Sequence, residues 1–223
     1  MKIRLLIFIV SALVVVLSAE SKKAYLKPAR GVKNLKFLNV HEKEVVIELN
    51  RARSNPKAYA AFLMELKKSY QDYYFVGSDK KLYLTREGVS AVNEAIRFLK
   101  STKPLKPLRI SKGLSLAAKT HVKDQGTRGR TGHRGSDRSM PLQRMNRFGK
   151  WKVISGENLC YGFRTPRQIV MHLIIDDGIK DRNHRKNIFE PLFKLIGVSC
   201  GYHSRLKWMC VMDFAGGYLE KRK

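Results

Sequence analysis

The chain has 223 residues, 43% of them hydrophobic, with 45 Lys and Arg against 18 Asp and Glu, a formal charge of +27. That much apolar material supports a packed core, so disorder throughout is excluded, and three cysteines are too few for a disulfide-built miniprotein. Ordinary glycine and proline contents and the lack of a fixed-period repeat set aside collagen-like, solenoid and coiled-coil architectures.

Residues 1–19 read as a secretory signal peptide, because Lys2 and Arg4 precede an apolar run from Leu5 to Leu17 that ends in Ser18 and Ala19. The run falls short of the roughly 20 residues a helix needs to span a bilayer; an uncleaved anchor is the alternative. Cleavage after Ala19 removes two cations and no acid from +27, leaving +25. Residues 20–38 then form a basic arm carrying Lys22, Lys23, Lys27, Arg30, Lys33 and Lys36.

A helical pattern begins near His41, with Val45, Val46, Leu49 and Ala52 on one face, and breaks at Asn55-Pro56. Asn55 can cap a second helix whose buried stripe is Tyr59, Phe62, Leu63 and Leu66. Residues 70–84 show no clear period. Thr85 reads as the cap of a helix carrying Val89, Val92, Ile96 and Leu99, which Pro104 and Pro107 follow. Ser111 caps the next helix, which buries Leu114, Ala117, Ala118 and His121 and ends at Gly126. A Gly- and Arg-rich loop leads to a short helix at 142–148 closed by Gly149, and Thr165-Pro166-Arg167-Gln168 opens a helix running to about Asp176, with Gly178 after it.

Toward the end the period changes to two. Ile196, Val198, Cys200 and Tyr202 share one parity, and Leu206, Trp208, Cys210, Met212 and Phe214 form a second such row. A turn at 204–206 sets Cys200 opposite Cys210, Tyr202 opposite Trp208 and Val198 opposite Met212, so Cys200 and Cys210 form a disulfide in an exported chain and Cys160 stays free and buried. Helices first and strands last, with a further strand near 152–154, give the α+β class.

Four motifs occur in order: Gly132-His133-Arg134-Gly135-Ser136-Asp137, Gly156-Glu157-Asn158-Leu159, His184-Arg185-Lys186-Asn187-Ile188 and Cys210-Val211-Met212-Asp213-Phe214-Ala215-Gly216-Gly217. With Glu48-Leu49-Asn50-Arg51-Ala52-Arg53 they resemble the CAP superfamily of SCP-like extracellular domains, the cysteine-rich secretory and pathogenesis-related proteins. The resemblance implies an α-β-α sandwich over residues 39–218, in which helices flank a small antiparallel sheet, with a charged tail at 219–223. It also implies secretion, and a cleft built from His133, Glu157, His184 and a second acid at Asp176 or Asp177, of which Asp177 is favoured.

Two neutral imidazoles and nearby carboxylates suit a borderline divalent cation, zinc first, with His133 and His184 as ligands. The competing reading gives Glu157 and the histidines local hydrogen-bonding roles only. His41, His121, His172 and His203 read as helix-face or turn residues. There is no His-Glu-x-x-His pair, Gly-x-Ser-x-Gly elbow or cysteine beside a histidine motif; the resemblance implies a binding module for lipid, sterol, glycan or an extracellular protein. The alternative is a metal-dependent, protease-like hydrolase using the same cleft. Residues 101–150 hold 13 Lys and Arg against Asp124 and Asp137, which points to an anionic lipid or sulfated glycan surface as partner. Nucleic acid is not expected, because export separates the chain from it and the basic residues are not interleaved with stacking aromatics.

Overall fold

The computed structural model describes residues 35–77 and 80–221. The signal segment, most of the basic arm and residues 222–223 lie outside them. Asn39 and Glu42 form a reciprocal capping box, each side chain taking the other's backbone N–H, which starts α1 at Val40–Ser54. Just ahead of it Leu38 is buried in the core, so the last residues of the 20–38 stretch belong to the fold. Asn55 caps α2, Pro56–Lys67, with proline in the first turn as the sequence predicts.

The unassigned stretch folds as a three-stranded antiparallel meander: β1 (Tyr70–Gln71), β2 (Tyr74–Val76) and β3 (Leu82–Leu84). Its strands are two or three residues long, too short to show a period. The following helix, α3, is Val89–Ser101 and not one begun by Thr85. Thr85 instead gives both its amide and its hydroxyl to the Tyr73 carbonyl, closing the meander, and Gly88 makes the turn into the helix at φ +60°.

After β4 (Arg109–Ile110), α4 runs Lys112–Arg128 under the Ser111 cap. It ends at Gly129, with φ +64°, three residues beyond the expected Gly126. Gly126 is needed for another reason: a Cβ there would collide with the Tyr202 carbonyl oxygen, so its role is close approach to the sheet. Then come α5 (Pro141–Phe148), β5 (Gly149–Tyr161), α6 (Pro166–Ile175), α7 (Asn183–Ile188), β6 (Leu195–His203) and β7 (Lys207–Glu220).

The central sheet has the order β4-β6-β7-β5. The expected hairpin register holds, with Cys200 opposite Cys210, Tyr202 opposite Trp208 and Val198 opposite Met212, and the Cys200–Cys210 disulfide is formed. The sheet is not wholly antiparallel, because the two-residue β4 pairs parallel to β6. Helix α4 covers one face, over Val211, Met209 and Leu159, and the other face meets α1 and α6 through Val198, Met212, Ile169 and Leu173. This is the α-β-α sandwich. Strand β7 reaches Glu220, whose carboxylate accepts from the Ser111 hydroxyl and the Gly113 amide, so residues 219–221 belong to the fold and not to a tail.

Candidate functional site

The cleft is assembled from three motifs at the edge of the sheet. In Gly156-Glu157-Asn158, strand alternation sends the two polar side chains to opposite faces. Asn158 turns toward α7, donating to the His184 carbonyl at 3.0 Å and accepting from Asn187 at 2.8 Å, which ties the second histidine's helix to β5. Glu157 faces the loop before α5: its Oε1 lies 2.8 Å from His133 Nδ1 and its Oε2 accepts from Arg144 at 2.6 Å. The Arg144 side chain is fully buried and also donates to the His133 and Ser139 carbonyls, both at 2.9 Å, so one guanidinium fixes the histidine loop and the acid together. From the other side His121 and Gln125 of α4 reach the Gly132 carbonyl. His121 thus has a positioning place behind the loop, as a helix-face residue.

The second histidine is set by the junction of α6 and α7. Arg185 donates to the Ile174 and Ile175 carbonyls, two of the acceptors an α-helix leaves open at its C-terminus. Asp176 follows at φ +56°, a left-handed cap that turns its carboxylate back onto α7. There it accepts from the His184 and Arg185 amides, and its Oδ1 lies 2.6 Å from His184 Nδ1. Asp177 also lines the cleft, but its carboxylate is spent on the Arg86 and Glu87 amides at 2.7 and 2.8 Å. The acid meeting His184 is therefore Asp176. The sequence reading favours Asp177, and the structure corrects it to Asp176, because the choice turns on which of two adjacent aspartates takes the left-handed cap.

His133, His184, His172, Asp176 and Tyr161 wall a cavity of about 290 Å³. Burial alone would raise the Glu157 carboxyl, but the His133 hydrogen bond and the charge of Arg144 hold it below the usual carboxylate range. Behind it Asp213 sits opposite on β7, fully buried, with no donor for either oxygen. Burial first, then the Glu157 charge, push its pKa well above the usual carboxylate range. His172, which sequence reading placed on a helix face, is pushed down to about 4 by burial and then by the His184 charge, so its ring adds no charge to the wall at neutral pH. Arg144 and His172 carried no motif signal, and Asp213, although inside the Cys210–Gly217 motif, had no role assigned from it; only the folded register brings them to the site.

As for a metal, the cleft pairs each histidine's Nδ1 with a carboxylate, which leaves Nε2 as the other ring nitrogen. Carboxylate-to-imidazole pairing is the arrangement that fixes the tautomer of a ligating histidine. Among the described residues, the only compact group of three such side chains is His41 with Cys200 and Cys210, and both thiols are consumed in the disulfide. A cation in the cleft would thus rest on two imidazoles, with solvent completing its shell.

A profile of the cysteine-rich secretory protein family, CAP, matches residues 48–214. The uncharacterized protein YkwD of Bacillus subtilis (strain 168) is 34% identical over 94 residues, which are 42% of this chain and 35% of that protein, so the match spans about a third of the relative's length. Among solved structures, an outer surface protein from Borrelia burgdorferi aligns with 18% identity and a TM-score of 0.43 over 52% of this chain and 80% of that one. An extracellular protein containing an SCP domain from Bacillus anthracis str. Ames aligns with 19% identity and a TM-score of 0.39 over 50% and 34%. No helix of the described residues is long and apolar enough to cross a membrane. With a profile covering three quarters of its length, the chain belongs to the cysteine-rich secretory protein (CAP) family.

Proposed function

We propose that this protein is a secreted binding module whose cleft takes up a divalent cation, zinc by preference, on His133 and His184, and whose basic face meets an anionic lipid or sulfated glycan surface. The observation that carries the cation reading is the pair of carboxylate-held imidazoles, Glu157 with His133 and Asp176 with His184, facing one cavity. The carboxylates act on the rings: each accepts a hydrogen bond from Nδ1–H, which leaves the Nε2 lone pair to ligate. When bound, the cation would supply a local positive charge and a Lewis-acidic position; the chain's own residues orient the rings toward it.

Hydrolysis is the weaker reading. Glu157 accepts from His133 and Arg144 and its carboxyl is held below the usual range, which weakens it as a general base. Calorimetric titration of the purified protein with zinc tests the proposal. One site is expected, weakened on acidification because a protonated imidazole cannot ligate. His133→Ala or His184→Ala should abolish it, and Asp176→Asn should weaken it by about 10–100-fold, the usual effect of losing such a partner. Zinc binding unchanged by both alanine variants would overturn the assignment.

A further inference from the structure

A second group of metal-ligating side chains shares no residue with the cleft and lies on the core face of the β6–β7 hairpin. One ring nitrogen of His41 and the sulfurs of Cys200 and Cys210 all lie within 4.8 Å of one another. The fold enforces this approach from two directions. Cys200 and Cys210 are cross-strand partners, so the ladder keeps their side chains together whether or not the sulfurs are bonded. Glu42, in the first turn of α1, accepts from the Cys200 amide at 3.1 Å and from the Ser199 hydroxyl at 3.0 Å, which pins the helix start onto β6 and brings the neighbouring His41 against the cysteines. The ring stands edge to face with Trp208, centroids 5.4 Å apart, and its Nε2 is buried with no hydrogen-bond partner among the described residues. Buried polar atoms are normally paired, so an imidazole left unsatisfied beside two sulfurs marks a ligand position that the polypeptide itself does not fill.

While the disulfide stands, neither sulfur can act as a thiolate ligand. Cys200 lines a surface hollow of about 390 Å³ edged by exposed Lys36, Lys119 and Lys123, whereas Cys210 is fully buried, so a small anionic thiol is drawn in and meets the Cys200 sulfur first. Its thiolate attacks Cys200 Sγ, forming a mixed disulfide and releasing Cys210 as a thiolate. A second small thiolate attacks the small-thiol sulfur of that mixed disulfide, releasing Cys200 as a thiolate and one molecule of the small disulfide. Two electrons thus pass from two small thiols to the protein bond. Two thiolates sharing one tetrahedral zinc at about 2.3 Å stand about 3.8 Å apart, a separation that side chains on directly opposed residues reach by rotation. Their two charges balance those of the ion. Burial first of all holds the His41 pKa below its ordinary value, so the third ligand is a neutral imidazole and the centre carries no net charge into the core.

We propose that His41, Cys200 and Cys210 form a redox-gated site for a thiolate-seeking divalent cation of the zinc type, shut while the disulfide stands and opened by a small thiol, with solvent completing the ion's shell. Re-oxidation by a small disulfide runs the exchange backward and expels the ion. The inference does not rest on the cation reading of the His133 and His184 cleft. Cobalt titration of the full chain is the test, before and after reduction with dithiothreitol and anaerobic removal of the reductant. A thiolate-to-cobalt charge-transfer band that saturates at one equivalent and is displaced by zinc is expected in the reduced protein only. Cys200→Ser with Cys210→Ser should remove the band, and His41→Ala should weaken cobalt binding by about tenfold or more. Cys160→Ala, and His133→Ala with His184→Ala, should leave it unchanged. Urea should abolish it, because the three ligands converge only in the fold. A reduced protein without the band, a band indifferent to His41→Ala or to urea, or one lost with Cys160→Ala would overturn the proposal. Failure of the oxidised protein to bind zinc would overturn only the reading of the cleft.

Discussion

Arg144 decides more about the site than either histidine, because it neutralises Glu157 in a place closed to bulk solvent. Breaking a buried pair by removing one partner leaves an uncompensated charge, and Arg144→Met should cost about 3–5 kcal/mol by urea unfolding. Adding Glu157→Met should recover part of that loss, since an apolar pair does not carry the stranded charge. A double variant no more stable than the single one would contradict this account. Asp213 behaves oppositely, because its native pKa is raised. The native state then binds more protons than the unfolded chain above about pH 3.8, so stability falls as pH rises toward the native pKa, by up to about 1.4 kcal/mol per pH unit. Asp213→Asn should remove that slope between pH 4 and 8. Parallel pH profiles for the two proteins would show that Asp213 ionises normally.

At the scale of elements, what was legible in the sequence was whatever a local pattern decides. The caps at Asn55, Ser111 and Thr165, the period-two rows of β6 and β7 and the pairing of Cys200 with Cys210 all follow from spacing and turn chemistry. What escaped depends on contacts distant along the chain: the meander at 70–84, the delayed start of α3 and the extension of α4 to Gly129. In the site, His133, Glu157 and His184 came from motif resemblance, whereas Asp176 could be chosen only once its left-handed cap was seen. The hairpin yields its own prediction. The disulfide closes a loop of ten residues' separation, worth about 2–3 kcal/mol in chain entropy, while the register is already held by the ladder. Cys200→Ser with Cys210→Ser should therefore lower stability by about that much and leave the fold intact. Cys160, on β5 directly opposite Cys210 of β7, is buried and its thiol pushed up by that burial, so it should resist alkylation until the protein unfolds. Rapid labelling of native Cys160 would contradict that packing.

The charge belongs to the whole molecule. Of the 13 Lys and Arg in residues 101–150, Arg144 alone is buried, and the two acids of that stretch are already engaged, Asp124 with Arg128 and Asp137 with Arg147. The loop that presents His133 is thus edged by exposed Arg130, Arg134 and Arg138. Removing these three costs little stability, because exposed charges of this kind contribute at most about 1 kcal/mol each, so they serve as a clean probe of surface attraction. Retention of the protein on heparin and on anionic vesicles should fall steeply with salt, since exposed charges are screened beyond about 10 Å at 0.1 M. Replacing Arg130, Arg134 and Arg138 by Ala should lower the eluting salt concentration more than deleting residues 20–34, because the loop holds its cations in fixed positions beside the cleft. Elution that ignores salt, or that responds only to the deletion, would mean that the charged face around His133 contributes to solubility and not to recognition.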